Sequence, residues 1–362
     1  ITITPYVSAF MFSDIGTLAL VIVVHVVIII VFVHIGNGIF FAINDPESCC
    51  VITTQESDLS KLSSSVKRYK KQYCIKRVVD YRRKDLYDII KDMDTVCIYD
   101  IASDKKPDII NFCYERMINI YINPDVCDLV ENVSEHYLLD DVSFLNHNIS
   151  NMTFEQRVIK RIFDIIFSLI FVVISSPIWI VSSIAIKLGD GGTVFFKQKR
   201  ATQYGRVFYV YKFRTMKEHV ENRSATSDDD RITKVGKVLR KTRLDEVPQL
   251  FNILKGDMSF VGPRPEMLEN VKSYTRELPE FKYRLRAKAG LTGYAQIAGK
   301  YNTSPKDKLI LDMMYIENYS FRTDIKLLFQ TAIVLLKKDS TEGFQKVSDC
   351  LECEKTPENL IN

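Results

Sequence analysis

The chain has 362 residues, of which 46% are apolar and 26% are charged, and its formal net charge is +4. This length suffices for two domains of about 100–200 residues each. The modest charge, in a sequence without a recognisable nucleic-acid-binding motif, argues against a nucleic acid as the partner. The eight cysteines include a single C-x-x-C, at Cys350 and Cys353, with no second pair beside it. Free thiols in a reducing cytosol are therefore expected rather than a zinc site.

The first predicted element is an apolar run from Thr17 to Ile35, TLALVIVVHVVIIIVFVHI, which carries no formal charge apart from two histidines. About 20 apolar residues are needed to cross the hydrocarbon core of a bilayer. The run therefore predicts a transmembrane anchor within residues 1–45. The chain begins at Ile1 rather than at a methionine, which leaves open whether sequence precedes it, and no signal peptide is recognised.

Residues 46–145 are the second predicted region, in which short apolar runs alternate with charged amphipathic segments. The runs CCVIT, CIKRVVDY, TVCIYDI and INIYI predict strands, and the segments DLSKLSSSVKRY, KDLYDIIKDM and PDIINFCYERM predict helices. This alternation is typical of a parallel, Rossmann-like sheet. The region lacks a G-x-G-x-x-G motif, so we interpret it as a non-catalytic regulatory or docking module. A linker rich in Asn and Ser follows at 146–156.

A second apolar run, from Ile162 to Ile186, could span a membrane by its length. Basic residues flank both ends, whereas a spanning helix should show an asymmetry of Lys and Arg. Such clusters favour contact with anionic membrane lipid or with substrate phosphate. Ser176 and Pro177 interrupt the run, because proline removes a backbone donor and serine can satisfy the freed carbonyl. These features predict a re-entrant membrane helix over residues 160–187, and an ordinary kinked span remains the alternative.

The most informative segment, residues 231–265, contains a predicted short helix preceded by two carboxylates. One apolar helical stripe is formed by Val247, Leu250, Phe251 and Leu254. A helix that starts just before Pro248 and ends at Gly256 places Asp245 and Glu246 at the positive end of its dipole. There a carboxylate stays ionised, and a phosphate or a divalent cation is attracted. The alternative role for Asp245 is a simple helix N-cap, for which aspartate is favoured.

Basic residues surround these carboxylates in the sequence. Those that precede Asp245 within a dozen residues are Lys234, Lys237, Arg240, Lys241 and Arg243. Arg264 follows, within Gly262-Pro263-Arg264-Pro265, where two prolines stiffen the loop that presents it. An ionised carboxylate among such cations suits nucleophilic attack on phosphorus, with arginines taking up the charge on the phosphoryl oxygens.

Several ordered motifs between Arg157 and Ser340 resemble those of the bacterial sugar transferases, also called monotopic phosphoglycosyl transferases or polyprenyl-phosphate hexose-1-phosphate transferases. The matching segments are KRIFD at 160–164, SP at 176–177, YKFRTM at 211–216, LDEVPQL at 244–250, LKGDMSFVGPRP at 254–265 and GLTGYAQ at 290–296. Residues 157–340 are therefore predicted to be the catalytic domain. The N-terminal region resembles the extra, non-catalytic domain of the larger members of this group.

The resemblance implies that Asp245 attacks the β-phosphate of a UDP-sugar, forming a covalent sugar-phosphoryl aspartate and releasing UMP. A polyprenyl (undecaprenyl) phosphate would then accept the sugar phosphate, as the first step of capsule, exopolysaccharide or O-antigen assembly. The resemblance further implies Mg²⁺ held at Asp245, with Glu246 aiding the metal site or proton handling. It places Lys212, Arg240 and Arg264 near substrate phosphates, and it makes residues 160–187 the re-entrant helix broken at Ser-Pro.

Two positions depart from the family pattern. Ala289 stands where the family often has a proline before the glycine of GxTG. Lys300 stands at a phosphate-binding position where the family frequently has an arginine, so the charge is kept but the bidentate fork is lost.

The sequence thus predicts an α/β membrane protein with an N-terminal transmembrane helix, a Rossmann-like parallel-sheet domain and a small mixed α/β catalytic domain that includes the re-entrant helix. A polar tail, 341–362, follows. We expect the bacterial inner membrane, with the catalytic domain on its cytoplasmic face, and self-association into a homo-oligomer is left open.

Two other functions remain open. A membrane-tethered glycosyltransferase releasing UDP could hold its metal with Asp228 and Asp230, although an acidic triplet such as 228–230 is usually a solvated loop. An inactive scaffold of a polysaccharide assembly complex is the non-enzymatic alternative, against which the complete Asp245-Glu246 and GPRP set weighs.

Overall fold

A computed structural model describes residues 15–54, 62, 69–147, 152–217, 229–299 and 303–336. The described residues divide into two compact units, 15–123 and 124–336, which are treated separately below. Residues 124–145, which the sequence assigns to the Rossmann-like domain, lie in the second unit. Several predicted features fall outside the described residues: the first part of the anchor, most of the helix predicted from DLSKLSSSVKRY, Asp228, Lys300 and the tail at 341–362.

The first unit begins with helix α1 (Ile15–Ile43), which contains the apolar run of the predicted anchor. Its large apolar side chains are exposed all around the helix, from Leu18 to Ile43. A helix that is apolar on every side has no single face to bury against a core. Two helices among the described residues are long and apolar enough to cross a membrane, and α1 is the first of them, over Gly16–Ile43.

The remainder of the first unit is a parallel sheet with helices between its strands, which confirms the predicted alternation. The elements are β1 (Glu47–Thr53), β2 (Tyr73–Asp80), α2 (Leu86–Ile90), β3 (Thr95–Ile98), α3 (Lys106–Glu115) and β4 (Asn119–Ile122). The four strands are parallel, in the order β2-β1-β3-β4. Ile52, Ile90 and Ile98 are fully buried in its core, because the central strands are covered on both faces.

The second unit holds the segments that matched the sugar transferases. Its strands are β5 (Glu135–Leu139), β6 (Val142–Asn146), β7 (Phe195–Ala201), β8 (Val207–Phe213), β9 (Met258–Val261) and β10 (Ala289–Thr292). Its α-helices are α4 (Val126–Val133), α5 (Phe154–Asp190), α6 (Lys234–Lys241), α7 (Gln249–Lys255), α8 (Leu268–Glu277), α9 (Tyr294–Ile297), α10 (Pro305–Glu317) and α11 (Phe321–Leu336). Short 3-10 segments lie at Gln203–Gly205, Leu244–Glu246 and Pro279–Arg286.

Two antiparallel hairpins, β5–β6 and β7–β8, and one parallel pair, β9–β10, make up the strands of this unit. The core lies around the parallel pair, where Met258, Phe281, Leu309 and Tyr315 are almost completely buried. This core holds β9 and β10 in place. The loop at residues 262–265 directly follows the end of β9.

Helix α5 contains the second apolar run and continues without interruption through Ser176 and Pro177. Proline at 177 has no N–H to donate to the carbonyl four residues earlier, that of Val173. The Ser176 hydroxyl donates to this carbonyl instead, at 2.8 Å. The predicted compensation by serine is therefore confirmed, while the interruption is accommodated within one helix and not by a turn between two helices.

The buried face of α5 is polar and its exposed face is apolar, the reverse of a helix on the surface of a soluble protein. Its buried polar residues are Lys160, Asp164, Ser168, Ser175 and Ser182. Its exposed apolar residues include Ile162, Ile166, Leu169, Ile170, Val173, Ile174, Ile180, Val181 and Ile184. This helix is the second of the two that are long and apolar enough to cross a membrane.

The N-terminal half of α5 is joined to the rest of the unit by charged contacts. Lys160 Nζ donates to Asp324 Oδ2 at 2.5 Å and to Tyr315 Oη at 3.0 Å. Asp164 Oδ1 accepts hydrogen bonds from Ser259 Oγ and from the backbone N–H of Phe260, both at 3.0 Å. These contacts hold the helix against β9, α10 and α11.

The C-terminal half of α5 contacts the same unit through aromatic side chains. Trp179 packs edge-on against Phe213 and Phe251, with ring centroids 5.5 and 5.0 Å apart. Ile186 belongs to a buried cluster with Phe213 and Leu239. Both halves of α5 therefore lie against one globular unit.

Candidate active site

The two predicted catalytic carboxylates lie in a 3-10 turn, Leu244–Glu246, that follows Arg243 and precedes α7. The α-helix begins at Gln249, with Pro248 at the N-cap position and no side-chain cap, so the prediction that it starts just before Pro248 is wrong by about one residue. The reason is that the preceding residues form i to i+3 hydrogen bonds, such as Val247 N to Leu244 O at 3.2 Å. Asp245 does not cap this helix, whereas Gly256 ends it as predicted, with φ +90°.

Glu246 is held by two cations at a single oxygen. Its Oε1 accepts from Lys212 Nζ at 2.5 Å and from an Arg264 guanidinium nitrogen at 2.9 Å. Burial alone would raise the pKa of Glu246, but the charges and hydrogen bonds of Arg264 and Lys212 outweigh it and hold the pKa well below its usual range. Glu246 is therefore a fixed anion that positions two basic side chains.

Asp245 has a different environment, although it is the next residue in the chain. It forms no hydrogen bond or ion pair with the described residues. Burial raises the pKa of its carboxyl, the charge of Glu246 adds to this, and Lys212, Arg240 and Arg264 oppose both. Asp245 is thus a partly buried carboxylate whose oxygens have no partner among the described residues and whose surroundings are cationic, which are the properties of a poised nucleophile.

Arg240, predicted beside the substrate phosphates, belongs to α6 on the other side of Asp245. Its Nε donates to Thr215 Oγ1 at 2.9 Å, and its charge lowers the pKa of Asp245. Thr215 follows β8, the strand that carries Lys212. The structure therefore brings Asp245, Glu246, Lys212, Arg240 and Arg264 together, and Lys300 lies outside the described residues.

A buried ion pair holds the loop that presents Arg264. Arg284 donates to Asp312 Oδ2 through Nε at 2.8 Å, and through a terminal nitrogen to the backbone carbonyl of Arg264, also at 2.8 Å. Arg284 and Asp312 are only 3% and 2% exposed. Sequence reasoning attributed the rigidity of this loop to its prolines and missed the ion pair. Nothing in the spacing of residues 284 and 312 indicated that they meet.

Two glycines allow the same loop to approach β10 closely. A Cβ built at Gly290 would lie 2.1 Å from the backbone nitrogen of Gly262, and one at Gly262 would lie 2.3 Å from the carbonyl oxygen of Lys288. The N–H of Gly290 donates to the carbonyl of Pro263 at 2.9 Å. Any side chain at either glycine would therefore displace the loop that carries Arg264.

A small pocket next to the carboxylates contains a cation that sequence reasoning did not assign to the site. The pocket is lined by Arg200, Val210, Lys212, Gln249, Arg264 and Pro265. Arg200 and Lys212 lie on the same face of the β7–β8 hairpin, because Arg200 pairs with Phe208 and Phe196 pairs with Lys212. The alternation in FKQKRA could have indicated which side chains of β7 share a face. Only the register of β7 against β8 shows that Arg200 shares its face with Lys212.

The acidic triplet considered as a metal-binding loop has other contacts. Asp229 is buried and ion-paired with Arg231, and Asp230 is exposed. Asp228 lies outside the described residues. Among the two described members of the triplet, one carboxylate is thus already neutralised by a guanidinium.

The described side chains of the site could hold a magnesium ion, but only with few protein ligands. The described part of the chain contains no group of three or more His, Cys, Asp or Glu side chains that could hold a metal. Glu246 is occupied by Lys212 and Arg264, whereas Asp245 has free oxygens. Mg²⁺ commonly takes one or two carboxylates and completes its shell with water and substrate phosphates. Asp245 together with a bound diphosphate would satisfy that requirement.

Comparison with known proteins matches this unit to one family. Residues 155–338 match the model of the bacterial sugar transferases. The chain is 40% identical over 184 residues to a UDP-N-acetylgalactosamine-undecaprenyl-phosphate N-acetylgalactosaminephosphotransferase of Aeromonas hydrophila, covering 49% of this chain and 44% of that protein. It is 37% identical over 201 residues to an undecaprenyl-phosphate galactose phosphotransferase of Salmonella typhimurium, covering 51% and 41%.

A further relative is matched over more of its length. A galactosyl transferase of Streptococcus agalactiae is 30% identical over 325 residues, which cover 79% of this chain and 71% of that protein. The likeness to this relative therefore extends into the residues before 155. The chain belongs to the bacterial sugar transferase family, and it spans less than half the length of the Aeromonas and Salmonella proteins.

Proposed function

We propose that the protein is a phosphoglycosyl transferase that moves a hexose-1-phosphate from a UDP-sugar to undecaprenyl phosphate or a similar polyprenyl phosphate. The observation that carries this proposal is Asp245, a partly buried carboxylate that has no hydrogen-bond partner among the described residues and lies among the charges of Lys212, Arg240 and Arg264. The family and the names of the relatives support it. Because those relatives are named for N-acetylgalactosamine and galactose, the proposal leaves the hexose open.

In the proposed first step an Asp245 carboxylate oxygen attacks the β-phosphorus of the UDP-sugar. A bond forms between this oxygen and phosphorus, the bond from the β-phosphorus to the bridging oxygen breaks, and UMP leaves with that oxygen. The raised pKa of Asp245 reflects a poorly solvated carboxylate, which is more reactive than one in water. Lys212 and Arg264, held in place by Glu246, stabilise the negative charge that develops on the phosphoryl oxygens.

In the second step an oxygen of the polyprenyl phosphate attacks the same phosphorus. The bond from Asp245 to phosphorus breaks and the carboxylate is regenerated, so the product is a polyprenyl diphosphate sugar. The same two cations serve both steps, because ion pairs with Glu246 at 2.5 and 2.9 Å hold Lys212 and Arg264 in place. Fixed donors need no reorganisation when charge develops, and this is their catalytic value.

Mg²⁺ belongs to this proposal as an ion that Asp245 would help to hold, and it would neutralise charge on the donor diphosphate. Glu246 is less suited as a ligand, because Lys212 and Arg264 already balance its charge at Oε1. The family resemblance suggested that Glu246 aids the metal site or proton handling. We infer instead that Glu246 positions these two cations.

The membrane arrangement is part of the same proposal. We infer that α5 is a re-entrant helix of a protein in the bacterial inner membrane, with the catalytic unit on the cytoplasmic face. Both halves of α5 contact this unit, through Lys160 and Asp164 at one end and Trp179 at the other. The apolar face of the helix is then available to lipid, while its polar face is satisfied by protein. Helix α1 would serve as the anchor.

The test is an assay of the purified full chain with a panel of UDP-sugars, a polyprenyl phosphate and Mg²⁺, scored for the nucleotide that is released. The proposal requires UMP together with a polyprenyl diphosphate sugar. Release of UDP would identify a glycosyltransferase that moves the sugar without its phosphate. No turnover with any UDP-sugar would favour the inactive scaffold.

A further inference from the structure

The pocket next to Asp245 has more hydrogen-bond donors than the protein uses. Lys212 and Arg264 each donate one N–H to Glu246. Arg200 donates to the Pro265 carbonyl at 3.1 Å and to Gln198 Oε1 at 2.6 Å. An arginine carries five N–H donors and a lysine three. Within the described residues, most donors of these three cations therefore remain for a ligand.

Gln249 gives an independent indication of a ligand. Its side chain lines this pocket although the residue is only 3% exposed. No hydrogen bond or ion pair engages this side chain in the part of the chain that the structure describes. Buried amides are almost always hydrogen-bonded, because leaving one unpaired costs about 1–3 kcal/mol. A polar group that enters the pocket would satisfy the Gln249 amide.

The charges in the pocket favour an anion as that group. Burial, with the positive charge of Arg264 as the second cause, lowers the pKa of Arg200 to about 10. Glu266 and Glu246 act in the opposite direction without removing the effect. Two guanidinium groups that repel each other within one pocket are stabilised by an anion placed between them.

We propose that Arg200 and Gln249 complete a second phosphate subsite, next to the position at which Asp245 attacks phosphorus. This inference rests on the proposed function and deepens it. The reaction brings three phosphate groups to the site, and only one of them, the β-phosphate, is attacked. The subsite takes either the α-phosphate that leaves as UMP or the phosphate of the lipid acceptor, because both present the same anionic oxygens to Arg200.

The experiment measures ligand affinity of the full chain by thermal-shift titration, which needs no turnover. The ligands are UMP against uridine, and a short-chain polyprenyl phosphate against the corresponding alcohol, so that each pair differs by a phosphate alone. The variants are Arg200→Met, Arg200→Lys and Gln249→Glu. Lys199→Met is the matched control, because Lys199 precedes Arg200 on β7 and packs over Tyr209 on the opposite face of the hairpin.

Arg200→Met and Gln249→Glu are each expected to weaken binding of one phosphate ligand about tenfold, the loss of one charge-assisted hydrogen bond or the gain of one like charge. Arg200→Lys should recover part of the loss, and Lys199→Met should bind as the wild type does. An effect on UMP alone assigns the subsite to the donor, and an effect on polyprenyl phosphate alone assigns it to the acceptor.

The proposal is overturned if both ligands bind Arg200→Met and Gln249→Glu as they bind the wild type, or if uridine and the alcohol lose as much affinity as their phosphates. A wild type that no phosphate ligand stabilises would overturn it as well. Failure of the proposed function is recognised separately, as wild-type turnover that does not release UMP.

Discussion

Asp245 and Glu246 are adjacent in the chain but have opposite electrostatic environments. Glu246 receives two charge-assisted hydrogen bonds that keep its pKa low, whereas the pKa of Asp245 is raised and its oxygens are free among the described residues. Consecutive side chains in a helical turn point about 100° or more apart, which allows this separation. The pair is thus one structural anion and one available nucleophile, and the predictions below follow from that division.

Asp245→Asn should abolish transfer while leaving the fold intact. The variant keeps the size of the side chain but removes the nucleophilic oxygen, so kcat is expected to fall by about a thousandfold or more. The apparent melting temperature should stay the same or rise, because an unpaired, partly buried carboxylate is replaced by a neutral amide. Steady-state kinetics and a thermal melt of the same preparation check both. A large loss of thermal stability would show that Asp245 has a structural role instead.

Glu246→Gln should lower both activity and stability, unlike Asp245→Asn. It leaves Lys212 and Arg264 without their shared anion. Breaking a fully buried pair typically costs about 3–5 kcal/mol, and the loss here should be smaller, because the Arg264 side chain is 41% exposed and solvent screens its charge. A carboxyl group whose pKa is lowered by folding stabilises the protein above its unfolded pKa of about 4.3, and this contribution is lost as the pH falls. The difference in melting temperature between the wild type and Glu246→Gln should therefore be nearly constant between pH 7 and pH 5, and it should shrink as the pH falls below about 4.

Asp312→Asn tests the ion pair behind the GPRP loop. Burial raises the pKa of Asp312 to about 6, although Arg284 opposes the shift. As the pH falls through about 6 the carboxyl becomes protonated and its hold on Arg284 weakens, so wild-type activity should decline over that range. Asp312→Asn should have a lower kcat, a nearly unchanged KM for the acceptor, and no decline of activity near pH 6.

Titration of Asp312 should affect stability and activity in opposite directions as the pH changes. A carboxyl group whose folded pKa lies above the unfolded value stabilises the protein fully below pH about 4, and this contribution is lost as the pH rises through about 6. The stability of the wild type relative to Asp312→Asn should therefore decrease from pH 4 to pH 7. Thermal melts of both chains over this range check the slope, and parallel curves would contradict the assignment.

Lys160→Met should detach the start of α5 from the catalytic unit. It leaves Asp324 buried and unpaired, with an expected cost of about 3–5 kcal/mol. The double variant Lys160→Met/Asp324→Asn removes both charges and should recover much of that loss. Melting temperatures of the single and double variants give the coupling between the two residues. Additive effects would mean that the ion pair at 2.5 Å contributes no coupling.

The re-entrant arrangement predicts that both ends of α5 lie on the same side of the membrane. Arg157→Cys and Thr193→Cys place thiols at exposed positions before and after the apolar run. In sealed inverted vesicles an impermeant maleimide should label both, as identified by mass spectrometry of the peptides that contain residues 157 and 193. Labelling of one position in inverted vesicles and of the other only in right-side-out cells would establish the alternative, an ordinary kinked span.

Much of the fold could be predicted from local patterns in the sequence. The strands of the first unit could be predicted because each is a short apolar run bounded by polar segments, and both long apolar helices follow from composition alone. The compensation of Pro177 by Ser176 could also be predicted, because it involves residues a few positions apart. The boundary of the two units at residues 123 and 124 could not, since it depends on which core residues 124–147 join.

For the candidate site, too, local motifs could be predicted and long-range contacts could not. Asp245 and Glu246 were found from a local motif, but their different roles depend on Lys212 and Arg264, which come from other elements. Arg200, Gln249 and the Arg284–Asp312 pair were missed because their contacts are set by the register of β7 against β8 and by the packing of α10. A single sequence contains no signal for such long-range pairs.

The central claim, that Asp245 is covalently phosphorylated, is tested most directly by mass spectrometry of the chain quenched after incubation with a UDP-sugar in the absence of lipid acceptor. The account predicts that the peptide containing Asp245 gains the mass of a hexose phosphate, in an amount matching the UMP released, and that polyprenyl phosphate discharges it. An enzyme that turns over with acceptor but never carries this adduct, or carries it on another residue, would contradict the account.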